Sequence, residues 1–204
     1  MTKTKLTFEK PVYLGMCILD LSKTIMYEFH YNYIKNKYGE KAKLLFTDTD
    51  SLMYEISTDD FYKDIVPDVQ RLFDTSNYPK DHPSKIPVGM NKKVIGMFKD
   101  EAGGKQITEF VGLRAKLYAY RMGDHEEKKC KGIKRNVIKN NITFDEYKKC
   151  LFEGTEIYKR MNVIRSRNHE LYTEEINKVA LSGNDDKRDI QSDRIHTLAL
   201  GFRS

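Results

Sequence analysis

The feature that most constrains this chain is an acidic turn between two apolar runs, LLFTDTDSLMYEI, residues 44–56. The run before the turn is typical of a buried strand, and after it apolar and polar residues alternate as in a second strand. The pattern predicts a β-hairpin whose tip carries Asp48 and Asp50. Because residues two apart on a strand point to the same side, about 6 to 7 Å apart, we expect both carboxylates on one face.

Two adjacent carboxylates repel each other and favour a hard divalent cation, because Mg²⁺ and Mn²⁺ prefer oxygen ligands. An Asp-x-Asp turn is also explained by Asx hydrogen bonds alone, so the flanking residues matter. The string FTDTDSLMYEI resembles motif C of the family B DNA polymerases, in which a strand, DTDS and a second strand follow one another. The resemblance implies that Asp48 and Asp50 are catalytic and metal-binding, with Asp50 the direct ligand of both metals. It makes Thr49 and Ser51 hydrogen-bonding members of the turn rather than ligands.

Size and composition bound the class of protein. The chain has 204 residues, 39% hydrophobic and 32% charged, which suits a globular protein with a real core. No long apolar run or secretory signal is present, so we expect an intracellular protein that neither spans a membrane nor is secreted. The net charge of +6 is compatible with a polyanionic partner. The three cysteines, Cys17, Cys130 and Cys150, have no zinc-binding spacing and are interpreted as reduced thiols.

A long helix is predicted ahead of the acidic turn. Apolar residues recur every three or four positions from Pro11 until Gly39, and they define one stripe: Leu14, Ile18, Leu21, Ile25, Phe29 and Tyr33. We expect this helix to support the hairpin. The segment resembles the helix that precedes motif C in polymerases of mobile elements.

A short helix and a long loop follow the hairpin. Ser57–Asp60 is a helix start, with Phe61, Ile65, Val69 and Leu72 on one face. Residues 74–87, DTSNYPKDHPSKIP, predict a loop that continues to residue 93. We interpret it as a surface excursion; the alternative is a functional lid.

Residues 94–122 are predicted to form three strands separated by Gly103-Gly104 and Gly112, with Gly123-Asp124 closing a hairpin. In the last of these, Lys116 and Tyr118 fall on one strand face. The same alternation of residues also occurs on an ordinary solvent-exposed face of a strand. Its position downstream of motif C resembles the KxY motif of protein-primed family B polymerases, which implies contacts of Lys116 and Tyr118 with the primer terminus.

The segment KKCKGIKRNVIK, residues 128–139, contains no acidic residue. We predict that it contacts the phosphates of DNA; the alternative is a run of charges that is only exposed to solvent. The basic residues predicted to bind DNA are Lys128, Lys129, Lys131, Lys134 and Arg135. The segment and its continuation resemble the entry to the polymerase thumb.

Thr143 and Glu146 predict a capping box at the start of a helix ending at Gly154. Two long strands are predicted between Ile157 and Ser182, then a turn at Gly183 to Asp186, whose two aspartates we interpret as solvated, and a last short strand.

Together these strings resemble the C-terminal palm and thumb portion of a protein-primed family B DNA polymerase of the organellar or viral, Polinton (Maverick)-like, type. The resemblance implies an α+β fold: a partial palm at residues 1–129, in which the acidic hairpin and KxY share an antiparallel sheet, and a thumb-like subdomain at 130–204. It implies nucleotidyl transfer with two Mg²⁺ or Mn²⁺ ions in a complete site. The implied partners are primer-template DNA, deoxynucleoside triphosphates and a terminal-protein primer.

The chain departs from the family pattern because the strings of motif A, DxxSLYP, and motif B, KxxxNSxYG, are absent. The exonuclease carboxylates are absent as well, so no proofreading is expected. We therefore expect a C-terminal fragment of a polymerase. The alternative is a catalytically inactive DNA-binding remnant. A glycosyltransferase that uses Asp-x-Asp ranks lower, because no Gly-rich or Rossmann-like pattern accompanies the turn.

Overall fold

The computed structural model describes residues 10–184, 188–193 and 196–199. Backbone packing divides the described residues into two compact units, one that ends at Ile107 and one that begins at Thr108. Helices and small, mostly antiparallel sheets occur in the described residues, so the α+β class is confirmed. The boundary predicted between residues 129 and 130 lies inside the second unit. The division into palm and thumb stays a prediction.

The first unit begins with the predicted helix, which continues without a break until Gly39, where φ is 55°. It starts as α1, Val12–Glu28, passes through a π-helical segment, Phe29–Lys35, and ends as α2, Asn36–Tyr38. Residues with a Cβ rarely adopt a positive φ and glycine adopts it readily, so the helix stops at this residue.

Of the predicted apolar stripe, the C-terminal part packs in the core of the first unit and the N-terminal part does not. Phe29 is buried, but Leu14, Ile18, Leu21 and Ile25 are exposed. The predicted support of the hairpin therefore comes from the C-terminal part of the helix, where His30 contacts Tyr54. The apolar residues of α1 lie on all sides of the helix, a pattern that a single neighbouring face cannot cover.

The remaining elements of the first unit are short. Asp60 accepts hydrogen bonds from the amides of Tyr62 and Lys63, which caps the predicted helix start. Pro67 lies in a 3₁₀ turn, Val66–Asp68, that divides the predicted helix into two pieces. The elements are β1 (Ala42–Asp48), β2 (Ser51–Ile56), α3 (Phe61–Asp64), α4 (Val69–Leu72), β3 (Phe73–Asp74) and β4 (Phe98–Lys99).

The core of this unit brings the π-helical segment, the hairpin and the short helices together. The Phe29 ring stacks on Phe98 with centroids 3.8 Å apart, and its edge meets Phe73. Stacked and edge-to-face rings of this kind stabilise a core beyond the area that they bury. The buried members are Phe29, Ile34, Ala42, Ile65, Val69, Phe73, Tyr78 and Ile86.

The long loop after β3 contributes to this core, so its interpretation as a surface excursion is wrong. Tyr78, His82 and Ile86 are buried, and Thr75 is fully buried with its hydroxyl donating to the Pro87 carbonyl at 2.7 Å. A side chain at Gly104 would lie 2.8 Å from the His82 ring, so this glycine permits the close packing. Polar loop residues are buried here because their hydrogen bonds are satisfied.

The second unit starts with a three-stranded antiparallel sheet, β5 (Glu109–Arg114), β6 (Leu117–Met122) and β7 (His125–Cys130). The predicted turn at Gly123 and Asp124 is confirmed, since Met122 pairs with His125. Gly112 does not separate two strands as predicted, because it lies within β5 and pairs with Tyr118. The turn falls instead at Ala115 and Lys116.

Helices pack on one face of this sheet. The capping box is confirmed: the Thr143 hydroxyl accepts the Glu146 amide, the Glu146 carboxylate accepts the Thr143 amide, and the helix ends at Gly154. The buried side chains of Phe144, Tyr147 and Cys150 fill the core beneath the sheet. The helices are α5 (Arg135–Asn141) and α6 (Phe144–Glu153).

The two long strands predicted after α6 are confirmed as a β-ribbon, β8 (Ile157–Arg167) and β9 (Glu170–Leu181). Met161 and Leu181 join the core at its base, whereas residues 164–175 are exposed. A short pair, β10 (Arg188–Ile190) and β11 (Thr197–Ala199), follows. The aspartate pair predicted to be solvated, Asp185 and Asp186, lies outside the described residues.

Candidate metal and nucleic-acid site

The acidic hairpin forms as predicted. Strands β1 and β2 pair antiparallel, and Asp48 is opposite Ser51, which leaves a two-residue turn of Thr49 and Asp50. The Asp50 amide donates to the Asp48 carbonyl at 2.6 Å, and Thr49 has φ 55°. A positive φ at the first turn residue suits the right-handed twist of a two-residue hairpin, but it is strained for a β-branched side chain.

The two aspartates do not lie on one continuous strand face, so that part of the sequence prediction is wrong. Asp48 is the last residue of β1 and Asp50 is the second residue of the turn. The turn reverses the chain between them and replaces the extended spacing. Both carboxylates nevertheless belong to the tip of the same hairpin, which is the property that a shared cation requires.

Hydroxyl groups stabilise the tip. The Thr49 hydroxyl is 3.4 Å from the Asp48 carboxylate as donor, and the Ser51 hydroxyl donates to the Asp48 carbonyl at 3.1 Å. These bonds fit the role expected of Thr49 and Ser51 as members of the turn.

The carboxylates of the hairpin tip are suitable ligands for a divalent cation, but they are few. Asp48 and Asp50 offer carboxylate oxygens, the ligand type that Mg²⁺ and Mn²⁺ prefer. Across the described part of the chain, no group of three or more His, Cys, Asp or Glu side chains lies close enough to hold a metal ion. Any cation at this tip would therefore take most of its ligands from water or from a bound substrate.

The body of the hairpin is fixed by its contacts with the π-helical segment. The Tyr54 hydroxyl is 2.9 Å from the His30 ring nitrogen Nδ1, and the two rings are nearly parallel. Burial raises the pKa of Tyr54, so its hydroxyl keeps its proton and serves as a hydrogen-bonding group. This contact is a tertiary link that sequence periodicity did not indicate.

The KxY residues lie in a different sheet from the acidic hairpin, contrary to the single palm sheet that we predicted. Lys116 is in the β5–β6 turn with φ 60°, so it does not share a strand face with Tyr118 as expected. Tyr118 lies on β6 in a row of aromatic rings, 6.1 Å from Phe110 and 6.5 Å from Tyr120 between centroids. Its contact with a primer terminus stays a prediction.

The basic segment does not form one surface. Lys128 has only 13% of its side chain exposed, donates to the Ile142 carbonyl at 2.7 Å and lies 3.7 Å from Glu126. This lysine ties β7 to the start of α6. The other predicted DNA-binding residues of the segment are exposed: Lys129, Lys131, Lys134 and Arg135.

Two pairs of predicted DNA-binding residues are brought together: Tyr118 is opposite Lys129 on β6 and β7, and Lys116 lies beside Lys131. The Lys131 amide donates to the Lys116 carbonyl at 3.1 Å, which places the β5–β6 turn beside the turn that follows β7. The sequence separates these lysines by a complete hairpin. The sheet register therefore creates a local basic cluster of Lys116 and Lys131, with Lys129 on the adjacent strand.

The cysteines behave as predicted for reduced thiols. All three are free, and Cys130 and Cys150 are buried. Burial raises the pKa of Cys130 to about 11, so the thiol stays protonated at neutral pH.

A shallow surface depression in the first unit was not indicated by any motif. It is lined by Lys37, Tyr38, Lys41, Ser57, Thr58 and Asp59. Lys41 and Ser57 border the end of the hairpin opposite Asp48 and Asp50, so the depression is separate from the acidic tip. The Lys37 ammonium is already bound by the Asp68 carboxylate at 3.0 Å.

Comparisons of the chain with protein-family models, with curated proteins and with solved structures found no match. Among the helices of the described residues, none combines the length and the apolar character needed to cross a membrane.

Proposed function

We propose that this chain is the C-terminal palm and thumb portion of a template-directed, protein-primed family B DNA polymerase. The observation that carries the proposal is the acidic hairpin, whose two-residue turn holds Asp48 and Asp50 at one tip. The resemblance of FTDTDSLMYEI to motif C supplies the reaction class. The proposed partners are primer-template DNA, deoxynucleoside triphosphates and a terminal-protein primer.

In the proposed reaction a primer hydroxyl attacks the α-phosphorus of a deoxynucleoside triphosphate. The primer hydroxyl loses its proton to solvent water, and a bond forms between its oxygen and the α-phosphorus. The bond from the α-phosphorus to the bridging oxygen breaks, and pyrophosphate leaves with that oxygen and the electron pair. Divalent ions, when bound, lower the pKa of the hydroxyl and offset charge on the leaving group. Asp50 and Asp48 would hold them, and the Thr49 turn keeps both aspartates at the tip.

Primer extension tests this proposal. The complete chain is incubated with a primed DNA template, all four deoxynucleoside triphosphates and Mg²⁺ or Mn²⁺, in parallel with Asp50→Asn and Asp48→Asn. Asp124→Asn is the matched control, because Asp124 is an exposed aspartate at the tip of the β6–β7 hairpin. Because motifs A and B are absent, we expect little or no extension by this chain alone. Extension that is lost in Asp50→Asn and retained in Asp124→Asn would show that the chain assembles a working site. Extension that is equal in all variants would overturn the assigned site.

Metal binding provides a second readout that does not depend on turnover. Titration with Mn²⁺ is followed by the electron paramagnetic resonance signal of the free ion. We expect weaker Mn²⁺ binding in Asp48→Asn and Asp50→Asn than in Asp124→Asn. Equal Mn²⁺ binding in all three variants would contradict a cation site at this tip.

The second candidate is a DNA-binding remnant without catalysis. It is favoured by the small carboxylate set at the hairpin tip and by the basic cluster of Lys116, Lys129 and Lys131. Salt-dependent binding without extension by the unmodified chain would support it, because phosphate contacts release counterions.

A further inference from the structure

The loop Met90–Met97, between β3 and β4, presents an apolar side chain directly to solvent. Ile95 is 97% exposed, more than any other large apolar side chain in the part of the chain that the structure describes. Its neighbour Val94 is about half exposed, and Lys92 and Lys93 precede them as exposed residues. We call residues 90–97 the Ile95 loop.

The base of the Ile95 loop is firmly anchored. The Asn91 side-chain amide donates to the carbonyls of Val69, Gln70 and Phe73 at 2.9, 3.1 and 2.9 Å, where α4 ends. The Thr75 amide donates to the Met90 carbonyl at 3.1 Å, and the Met90 amide donates to the hydroxyl of the buried Thr75 side chain at 3.2 Å. The exposed isoleucine is thus presented on an ordered support.

The backbone of the loop is also held in unusual conformations. Asn91 has φ 55°, Lys93 has φ 60° and Gly96 has φ 84°. A lysine in this left-handed region is strained, and such conformations persist only where surrounding bonds determine them. The Asp74 carboxylate, which accepts the Lys93 amide at 3.4 Å, provides one of those bonds.

The chemistry of this tip is complementary to a nucleic acid. Exposed isoleucine side chains can insert against a base step and unstack it, while adjacent lysines bind the phosphates on either side. A protein partner fits less well, because lysine is depleted at the centres of protein interfaces and the apolar area is small. A membrane surface fits less well too, because so few apolar side chains anchor weakly.

We propose that the Ile95 loop is a DNA contact in which Ile95 inserts at a base step next to the single-strand junction and Lys92 and Lys93 bind the flanking phosphates. This inference rests on the proposed function for the presence of a primer-template junction. It adds a contact outside the acidic hairpin, the KxY residues and the basic segment.

The test uses the complete chain and a primer-template DNA with 2-aminopurine at the junction, whose fluorescence rises when the base unstacks. The variant is Ile95→Ala, and the matched control is Ile164→Ala, which truncates another exposed isoleucine on the β-ribbon. We expect the fluorescence rise seen with the unmodified chain to be mostly lost in Ile95→Ala and unchanged in Ile164→Ala. We expect junction affinity to fall about tenfold in Ile95→Ala, because truncation removes most of the apolar surface that an inserted isoleucine would bury.

The lysines are tested by the salt dependence of binding. Lys92→Ala removes one charge, and Lys93→Asn removes the other with a residue that tolerates positive φ. Each is expected to reduce the slope of log affinity against log salt by about 0.9. Thermal unfolding of every variant is measured in parallel, so that DNA affinities are compared only between variants that are folded at the temperature of the binding experiment.

The outcomes separate this inference from the proposed function. Tight DNA binding with equal fluorescence in Ile95→Ala and Ile164→Ala would overturn the inference and leave the proposed function standing. Absence of DNA binding by the unmodified chain at low salt would overturn both. Co-sedimentation with phosphatidylserine vesicles that needs Ile95, while DNA fluorescence does not, would replace the DNA contact with a membrane contact.

Discussion

The backbone amide of Asp50 donates a hydrogen bond to the backbone carbonyl of Asp48 at 2.6 Å. The bond crosses a single residue, Thr49, and it is this tight turn that brings the two carboxylates to the same hairpin tip. The function proposed for the chain therefore depends on one backbone conformation as much as on the two acidic side chains.

The Thr49 turn can be tested with a pair of substitutions. Glycine adopts φ 55° without steric cost, so Thr49→Gly should change the free energy of unfolding by less than about 1 kcal/mol. Proline fixes φ near −65°, so Thr49→Pro should destabilise the hairpin by about 2 kcal/mol or more. Urea unfolding measures both. Similar stabilities for the two variants would show that the turn does not need this conformation.

Asn91 is predicted to be a structural anchor. Its amide satisfies three carbonyls at the end of α4, so Asn91→Ala should lower the free energy of unfolding by about 1 to 3 kcal/mol. Asn140→Ala, on the exposed surface of α5, is the control and should be nearly neutral. Chemical denaturation measures the free energy of unfolding of both variants. Equal values would contradict the anchoring role of Asn91.

Acid should weaken the first unit through Asp68. Burial of its carboxylate opposes ionisation, but hydrogen bonds from Tyr33 and Lys37 outweigh it and lower the pKa of Asp68. Because the folded pKa is below the unfolded value of about 3.9, the stabilisation is present above that pH and is lost as pH falls through the folded pKa.

The matching variant is Asp68→Asn. We expect it to be less stable than the unmodified chain near pH 6, by about 1 to 3 kcal/mol, and the difference to shrink toward pH 2. Urea unfolding across that range measures it, with the exposed Asp81→Asn as control. A difference that stays constant with pH would refute the linkage.

In the second unit, the buried Tyr147 hydroxyl donates to the Lys129 carbonyl at 2.9 Å and ties α6 to β7. Tyr147→Phe leaves this carbonyl without that donor and should cost about 1 to 2 kcal/mol of unfolding free energy. Tyr13→Phe, at an exposed position of α1, should cost almost nothing. Thermal unfolding of both variants tests the prediction, which fails if Tyr147→Phe is as stable as the control.

Lys128 and Lys131 should separate stability from DNA binding. Lys128→Ala removes a largely buried ammonium that binds the Ile142 carbonyl, so it should destabilise the unit by about 1 to 3 kcal/mol. Its effect on the salt dependence of DNA affinity should be small. Lys131→Ala should leave stability unchanged and reduce that slope by about 0.9. The reverse pattern, measured by fluorescence anisotropy, would contradict this assignment.

Local sequence determined the elements whose signals are short-range. The Asp-Thr-Asp turn between apolar runs predicted the hairpin, and Thr143 with Glu146 predicted the start of α6; both are present. The α+β class and the β-ribbon of residues 157–181 were also predicted. These features depend on turn and capping residues and on alternation, which act over a few positions of the chain.

Tertiary structure decided what the local patterns left open. The stripe predicted a buried face, yet its members Leu14, Ile18, Leu21 and Ile25 are exposed while Phe29 is buried, because burial depends on which neighbours a fold provides. Residues 74–87 looked like a polar excursion, but hydrogen bonds from Thr75 and His82 allow them to enter the core.

The same holds for the candidate site. The sequence indicated which side chains are proposed to carry its chemistry: two aspartates at one turn and lysines that follow a predicted hairpin. Only the tertiary structure placed Lys116 in a turn beside Lys131, bound the Lys128 ammonium to the Ile142 carbonyl and fixed the positive φ of Thr49. Sheet register and packing join residues that are distant in the chain, and no local pattern contains that information.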